Sequence, residues 1–457
     1  MCLSLRDTAP HAIGILLFGG KMKKEDFIKK YSNRKYPAHF DRPISLEKMY
    51  NQIINPNYII KHSFLPFLHF SQTYKKFSTT KKRYTKAREL CYSGHKDRCI
   101  YQYYASILNE LYNERVKKDN TNMSAIAYRT NLRKSNIHFA NIAFNFIKKQ
   151  EKCLIIVSDF KDFFGSLDHL YLKKQLCNLL NTTNLPDDFY KIFRNITKYS
   201  YINIEEILTY LNIPVTQNNI DKLKHKNQIM PIQKLRKDCK DLIHINKENY
   251  GIPQGSTISA VLSNIYMLEL DKKIKDYTNQ LDGLYFRYSD DILIVIPIEN
   301  NSDINNHYNH INTQIQTTPM LTLHPDKTQI FIYENSKLNF APPVPPQTNL
   351  ILNYLGFSFD GENISIRPKT LSKYYHRAYK KVDNIRKNPF TKNGHRASGH
   401  NLYKLYTQKG ANQNKSHGNF ITYINRCCNV FKDEQHIKRI KNKHMGKIKR
   451  RLKNINI

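Results

Sequence analysis

Apolar positions along the chain follow two rhythms. Between Arg98 and Tyr112, the residues Ile100, Tyr103, Tyr104, Ile107, Leu108 and Leu111 recur every three or four positions, and Phe139, Ile142, Ala143, Phe146 and Ile147 repeat that spacing. Both patterns predict amphipathic helices. Ile258, Val261, Leu262, Ile265 and Leu268 mark one face of a third. The second rhythm belongs to strands. Cys153–Val157 is an unbroken apolar run of strand length, and the β-rich runs Leu284–Tyr288 and Ile292–Ile296 flank polar, turn-prone residues, which predicts a hairpin. Between the first two helices lies the short basic segment Ala125–Lys134. Residues 43–70 are aromatic and apolar, as expected of an N-terminal packing segment. Residues 182–246 are polar and rich in Asn and Lys, which reads as an insertion between core elements. From about residue 370 the chain is basic and helical in flavour.

Composition changes this picture in one respect. With 40% hydrophobic and 24% charged residues, the 457-residue chain is ordinary for a folded protein. Its charge is not: 73 Lys+Arg against 37 Asp+Glu leave a formal +36. Such a surplus points to a polyanionic partner, because cations laid along a phosphate backbone release its condensed counterions. An AT-rich coding sequence would also enrich Lys, but it would not cluster it. Lys438–Lys453 holds nine Lys/Arg and no acid, with Ile440, Ile448 and Leu452 interleaved. Most charge runs are solvated faces; this one has an apolar stripe to dock it, which favours backbone binding. The eight cysteines form no CxxC pair and no Cys/His metal spacing, so they read as reduced core thiols of a cytoplasmic protein. No apolar run reaches the roughly 18–20 residues that span a bilayer. Residues 1–21 are set aside as a leader outside the fold.

Three segments carry chemistry together. Val157–Phe164 (VSDFKDFF) delivers Asp159 at the end of a buried strand, and Tyr250–Ser256 (YGIPQGS) is a tight loop opening the third helix. Phe286–Leu293 (FRYSDDIL) holds Asp290 and Asp291 at a hairpin tip. Nucleotidyl transfer needs two hard cations, roughly 4 Å apart, to clamp attacking and leaving oxygens, and such cations want carboxylate oxygens. Rigid aspartates from two different strands can hold that pair. Each residue also has a plainer reading. An isolated Asp-Asp in a turn is usually turn chemistry, Phe164 alone would be core, and Asp162 more plausibly caps the following helix than binds metal.

In this order, SDFKDFF, YGIPQGS and YSDD resemble the A, B and C motifs of the reverse transcriptases. His324–Thr328 (HPDKT) resembles the family's motif D, and Asn353–Phe357 (NYLGF) its primer grip. The resemblance covers about residues 98–360. It implies an α+β right-hand polymerase, with fingers at 60–150 following an N-terminal extension (1–59). The implied palm, with a small antiparallel sheet, is 151–360 including the insertion, and the basic helical thumb is 361–457. It implies two Mg2+ ions, with Mn2+ as the alternative, on Asp159, Asp290, Asp291 and the Phe160 carbonyl, and Lys327 as general acid. Phe164 then stacks under the sugar, where a bulky ring rejects a 2′-hydroxyl and selects deoxynucleotides. Gln254 and Gly255 line the nascent pair, where glycine permits close backbone approach. Arg129, with Arg98 and Lys134, grips the triphosphate through guanidinium or ammonium contacts. Tyr288, Tyr354, Leu355, Gly356, Lys438, Arg439, Lys447, Arg450 and Arg451 contact nucleic acid. The partners implied are an RNA template, a DNA product and deoxynucleoside triphosphates.

Absences narrow the branch. No Cys-rich nuclease segment, no Val-Thr-Gly thumb motif and no acidic RNase H set is visible, and Ile252–Gly255 keeps its PQG box. The remainder resembles the prokaryotic defence-associated enzymes, which implies an antiphage role with a dedicated structured RNA and a second reverse transcriptase or self-association. Two other classes fit less well: a non-catalytic RNA-binding scaffold, and an RNA-dependent RNA polymerase.

Overall fold

The structure is a computed structural model that describes residues 23–32, 36–78, 82–343, 350–388, 390, 394, 400–411 and 418–453. The leader expected at residues 1–21 lies outside them. Among the described residues the strands are β1 (Phe67–Ser78), β2 (Lys82–Tyr92), β3 (Lys152–Asp159), β4 (Ser200–Asn203), β5 (His244–Ile245) and β6 (Leu284–Tyr288). They continue with β7 (Asp291–Pro297), β8 (Gln329–Glu334), β9 (Lys337–Phe340), β10 (Leu352–Tyr354), β11 (Phe357–Phe359) and β12 (Ile364–Ile366). With the helices between them, this is the α+β class expected. The chain divides into two compact units: one holds residues up to Tyr128 with Phe160–Lys273 and Thr313–Thr322, and the other holds Arg129–Asp159, Ile274–Asn312 and Leu323 onward.

In the first unit a sheet runs in the order β2-β1-β4-β5, with β1 antiparallel to β2 and parallel to β4. The 24-residue helix His95–Lys118 is the expected helix, longer at both ends. Its N-terminal N–H groups, which have no partner within the helix, find one here: Asp41 accepts from His95 N (2.8 Å) and Lys96 N (2.9 Å), placing a carboxylate at the positive end of the helix dipole. Asp97 is tied to His62 Nε2 (2.7 Å) and Leu65 N (2.9 Å). The polar stretch 182–246, expected as an insertion between core elements, is itself folded. It forms the helices Asp187–Thr197, Ile204–Tyr210, Gln217–Lys224 and Ile232–Asp238, and supplies β4 and β5. Its sparse apolar residues, among them Ile202, Ile204, Ile207, Leu208 and Leu223, are buried with Phe40, Leu68 and Phe70. Composition hid these elements because few of their faces are buried.

The second unit is built on a five-stranded antiparallel sheet in the order β6-β7-β3-β8-β9. β3 is central and paired along both edges, and side chains on both of its faces are buried, so the run reads as continuous rather than alternating. Leu154, Ile155 and Ile156 are fully buried, each worth about 1.5–3 kcal/mol of transfer free energy. The helix Asn136–Lys148 covers this core, its Phe139 edge-on to Phe286 (6.0 Å) and its Phe144 stacked on Phe359 (5.3 Å). A second small sheet, β10-β11-β12, follows. The basic C-terminal tail is helical as expected, with long helices at Pro368–Lys387 and Gln435–Lys453. Of the seven described cysteines, six are buried, Cys428 is partly buried, and all are unpaired thiols. Among the described residues no helix is long and apolar enough to cross a membrane.

Candidate active site

The antiparallel register of β3 and β7 sets Asp159 opposite Asp291, and β6 and β7 are joined so tightly that Tyr288 also faces Asp291. Only Ser289 and Asp290 form the tip, Ser289 with φ +62°. Arg287, fully buried, donates from Nη1 to the Ser289 carbonyl (3.1 Å) and fixes the turn from inside. Sequence reading missed Arg287; its one signal is a cation inside an otherwise apolar strand. The result is that oxygens of Asp159, Asp290 and Asp291 all lie within 4.8 Å of one another.

Like charges so close and half-buried raise the cost of ionisation. Asp291 is pushed up to about 7, first by burial and then by Asp290 and Asp159, with Lys327 and Arg367 opposing. A divalent cation would remove that cost, and three hard oxygen donors suit one. Lys327 forms an ion pair with the Asp159 carboxylate. Arg367, exposed just ahead of the helix Pro368–Lys387, is a second cation near the cluster that the sequence did not flag.

The segment Asn353–Phe357, which resembles a primer grip, forms the turn between β10 and β11. Leu355 (φ +47°) and Gly356 (φ +93°) both take left-handed backbone there. Asn136 Nδ2 donates to the Leu355 carbonyl (3.0 Å) and Arg367 N to the Gly356 carbonyl (3.1 Å), which holds that shape. Leu355 and Gly356 are partly exposed. Tyr354 was expected to touch nucleic acid, yet it is 2% exposed: alternation along β10 turns its ring into the core. Tyr288 keeps a partly exposed ring.

The residues that follow Asp159, from Phe160 on, and the Tyr250–Ser256 loop belong to the first unit. Phe164 sits half-buried in a short 3-10 turn (Phe163–Ser166), its ring edge-on to Phe163, while Phe160 is buried and stacks on Phe163 (5.8 Å). The loop Gly251–Ser256 is pinned to that turn: Ile252 N donates to the Phe164 carbonyl (2.9 Å) and Gly251 N to Leu167 (2.8 Å). On its other side the Gln254 carbonyl accepts from Cys91 N (2.8 Å). Gly255 has φ +117°, and a Cβ there would sit 2.8 Å from the Cys91 carbonyl oxygen, so glycine is required twice over. The expected cap moves. Asp162 stands at φ +45° without a capping bond, whereas Asp168 accepts from Tyr171 N (2.7 Å) at the start of the helix His169–Leu180.

The basic candidates divide by exposure. Arg129 is 4% exposed, so its guanidinium is enclosed by protein and offers a triphosphate little surface. Arg98 stacks over the Tyr36 ring (3.9 Å) and donates to the Ile44 carbonyl (3.3 Å), which commits it to the N-terminal segment of its own unit. Lys134 is exposed. On the helix Gln435–Lys453, Ile437, His444 and Ile448 form the buried stripe, Arg439, Lys447, Arg450 and Arg451 are exposed, and Lys438 is partly so. Lys447 lies over Tyr375 (4.6 Å), and Arg451 bridges to Asp383 (3.1 Å), so these two are held while Arg439 and Arg450 point free charge outward.

No curated protein matches the chain. Among solved structures, apo telomerase of Candida tropicalis lacking its C-terminal domain is similar with a TM-score of 0.40 and 11% identity, over 65% of this chain and 55% of that one. Telomerase of Candida albicans with a TWJ fragment of telomeric RNA gives a TM-score of 0.39 and 13% identity, over 94% of this chain and 72% of that one. The chain thus spans about half the length of the first. Residues 79–359, more than half of the chain, match the family described as reverse transcriptase (RNA-dependent DNA polymerase). Because that match covers more than half of the chain, the chain belongs to the reverse transcriptase family.

Proposed function

We propose that the chain extends a DNA strand along an RNA template by two-metal nucleotidyl transfer, with Mg2+ as the ion. The observation that carries this reading is the convergence of Asp159 with the adjacent Asp290 and Asp291, from which it is remote in sequence, to within 4.8 Å. Bound to these carboxylates, divalent cations supply the Lewis acidity that activates a primer hydroxyl and offsets charge on the triphosphate. Asp159 and Asp290 orient that pair; Asp291, the group with the raised proton affinity, supports the tip. Lys327 holds a proton within reach of Asp159 and serves as the acid for departing pyrophosphate. Phe164 walls the sugar subsite, Gln254 and Gly255 face the nascent pair, and Leu355 and Gly356 bear on the primer. The exposed cations of Gln435–Lys453 take the phosphate backbone of a duplex or structured RNA.

In this scheme residues 60–150 act as fingers, 151–360 as palm and 361–457 as thumb. The resemblance of the chain to defence-associated enzymes, once other branches' features are set aside, supports an antiphage role with a dedicated non-coding RNA. The decisive experiment measures deoxynucleotide incorporation on primed RNA by wild type and Asp290→Asn. Loss of about 10³-fold or more is expected, as removal of a cation ligand costs several kcal/mol of transition-state stabilisation. Equal signals would leave a non-catalytic RNA-binding scaffold, and ribonucleotide incorporation alone would mean RNA synthesis. Restriction of phage plating by the wild type but not by Asp290→Asn tests the defence role.

A further inference from the structure

Lys327 is a long side chain on a turn, 42% exposed, with four rotatable bonds to the ammonium. Something must decide where its backbone sits if it is to meet Asp159. The turn His324–Thr328 is anchored at both ends to the strand that bears Asp159. At one end His324 N donates to the Asp159 carbonyl (2.8 Å). At the other, the Thr328 hydroxyl bonds the His324 carbonyl (2.9 Å) and lies 2.7 Å from the Ser158 hydroxyl. The carbonyl can only accept, so Thr328 donates to it; having no second proton, Thr328 then accepts from Ser158. Lys327 N and Thr328 N also converge on the His324 carbonyl (3.1 and 3.0 Å). Ser158 and Thr328 are 1% and 3% exposed, so water cannot substitute for either hydroxyl.

We infer that Ser158 and Thr328 form a hydroxyl latch that positions Lys327 on Asp159, making both positioning residues for the transfer step. This rests on the polymerase reading above. Neither side chain touches a reacting atom; each acts through the turn it closes. A plain packing role would be met by any side chain of the same shape, whereas the latch needs the hydroxyl.

The test is a double-mutant cycle on the full chain with primed RNA. Thr328→Val keeps the shape and removes the hydroxyl. It should lower kcat about tenfold with KM within about twofold, since small misplacement of a catalytic group has effects of that order or larger. Thr328→Ser should restore most of the rate. In a Lys327→Gln background Thr328→Val should cost nothing further, because the residue it positions is gone. Independently of turnover, amine acetylation of Lys327 in the metal-free chain, read by mass spectrometry, should rise in Thr328→Val. The inference is overturned by an unchanged kcat in Thr328→Val, by an equal loss with and without Lys327, or by unchanged acetylation. Should Thr328→Val fail to fold, Ser158→Ala removes the same link from the other side and is held to the same outcomes. A wild-type chain that incorporates no deoxynucleotide would instead bring down the polymerase reading itself, a result distinct from an active enzyme with a silent Thr328→Val.

Discussion

The carboxylate hairpin and the C-terminal helix both concentrate charge of one sign, and they do so in opposite ways. Around the hairpin tip three acids crowd within 4.8 Å on half-buried strand ends, and burial first, then the neighbouring carboxylates, pushes Asp291 up to about 7. On Gln435–Lys453 the cations fan out around an exposed face, and the buried stripe of Ile437, His444 and Ile448 does the folding. The first arrangement works against the stability of the chain that carries it; the second costs almost nothing. A repulsive cluster that folding tolerates is a sharper sign of chemistry than a charge run that folding ignores.

That contrast can be pressed in several ways. The largest effect should come from the strand beneath the acids. Ile155→Ala in β3 should destabilise the chain by about 3 kcal/mol, read as a lower urea midpoint, because the fully paired central strand cannot collapse onto the cavity. A midpoint within error of wild type would mean the acids do not stand on a rigid base. At the sugar subsite, Phe164→Val should relax the preference for deoxy- over ribonucleotides by about 10–100-fold in relative kcat/KM, the range a single steric contact commands. No change would remove Phe164 from that subsite. With chelator present, Asp290→Asn should raise the melting temperature by about 2–4 °C, corresponding to about 1 kcal/mol of relieved repulsion. A drop would show that the cluster is not under electrostatic load. Smallest of all, Arg450→Ala should leave the melting temperature in place and reduce the slope of log affinity for RNA against log salt by about one. An unchanged slope would return that helix face to ordinary solvated charge.

Much of the site was legible because the chemistry requires particular residue types at particular elements. The apolar run ending in Asp159 and the β-rich runs around Asp290–Asp291 announced the two strands, and only those strands could bring the acids together. The supports were not legible. Arg287 shows only as a cation in an otherwise apolar strand, and Ser158 and Thr328 are short hydroxyls whose pairing between the end of β3 and the residue ahead of β8 depends on a register no local pattern encodes. The burial of Arg129 and Tyr354 is likewise a tertiary fact, since each has flanks that read equally well as exposed. Composition said least at 182–246, where Asn and Lys on outward faces masked four helices and two strands; three of those helices and β4 share one core with Phe40 and Phe70. The cap misassigned to Asp162 belongs to Asp168 because the chain first spends a left-handed residue and a 3-10 turn before the helix begins.

The parallel pairing of Phe67–His69 with Tyr201–Asn203 also bears on how the protein is made. Leaving the ribosome, the Phe67–His69 stretch of β1 has one flank bare until the chain has grown past Asn203. Contacts of such long range form late and slowly. Until then the bare flank of β1 offers unpaired backbone groups to any other strand nearby. The interval between synthesis of β1 and arrival of β4 is therefore when a nascent copy is most open to wrong pairing, and slower translation between them would lengthen the exposure.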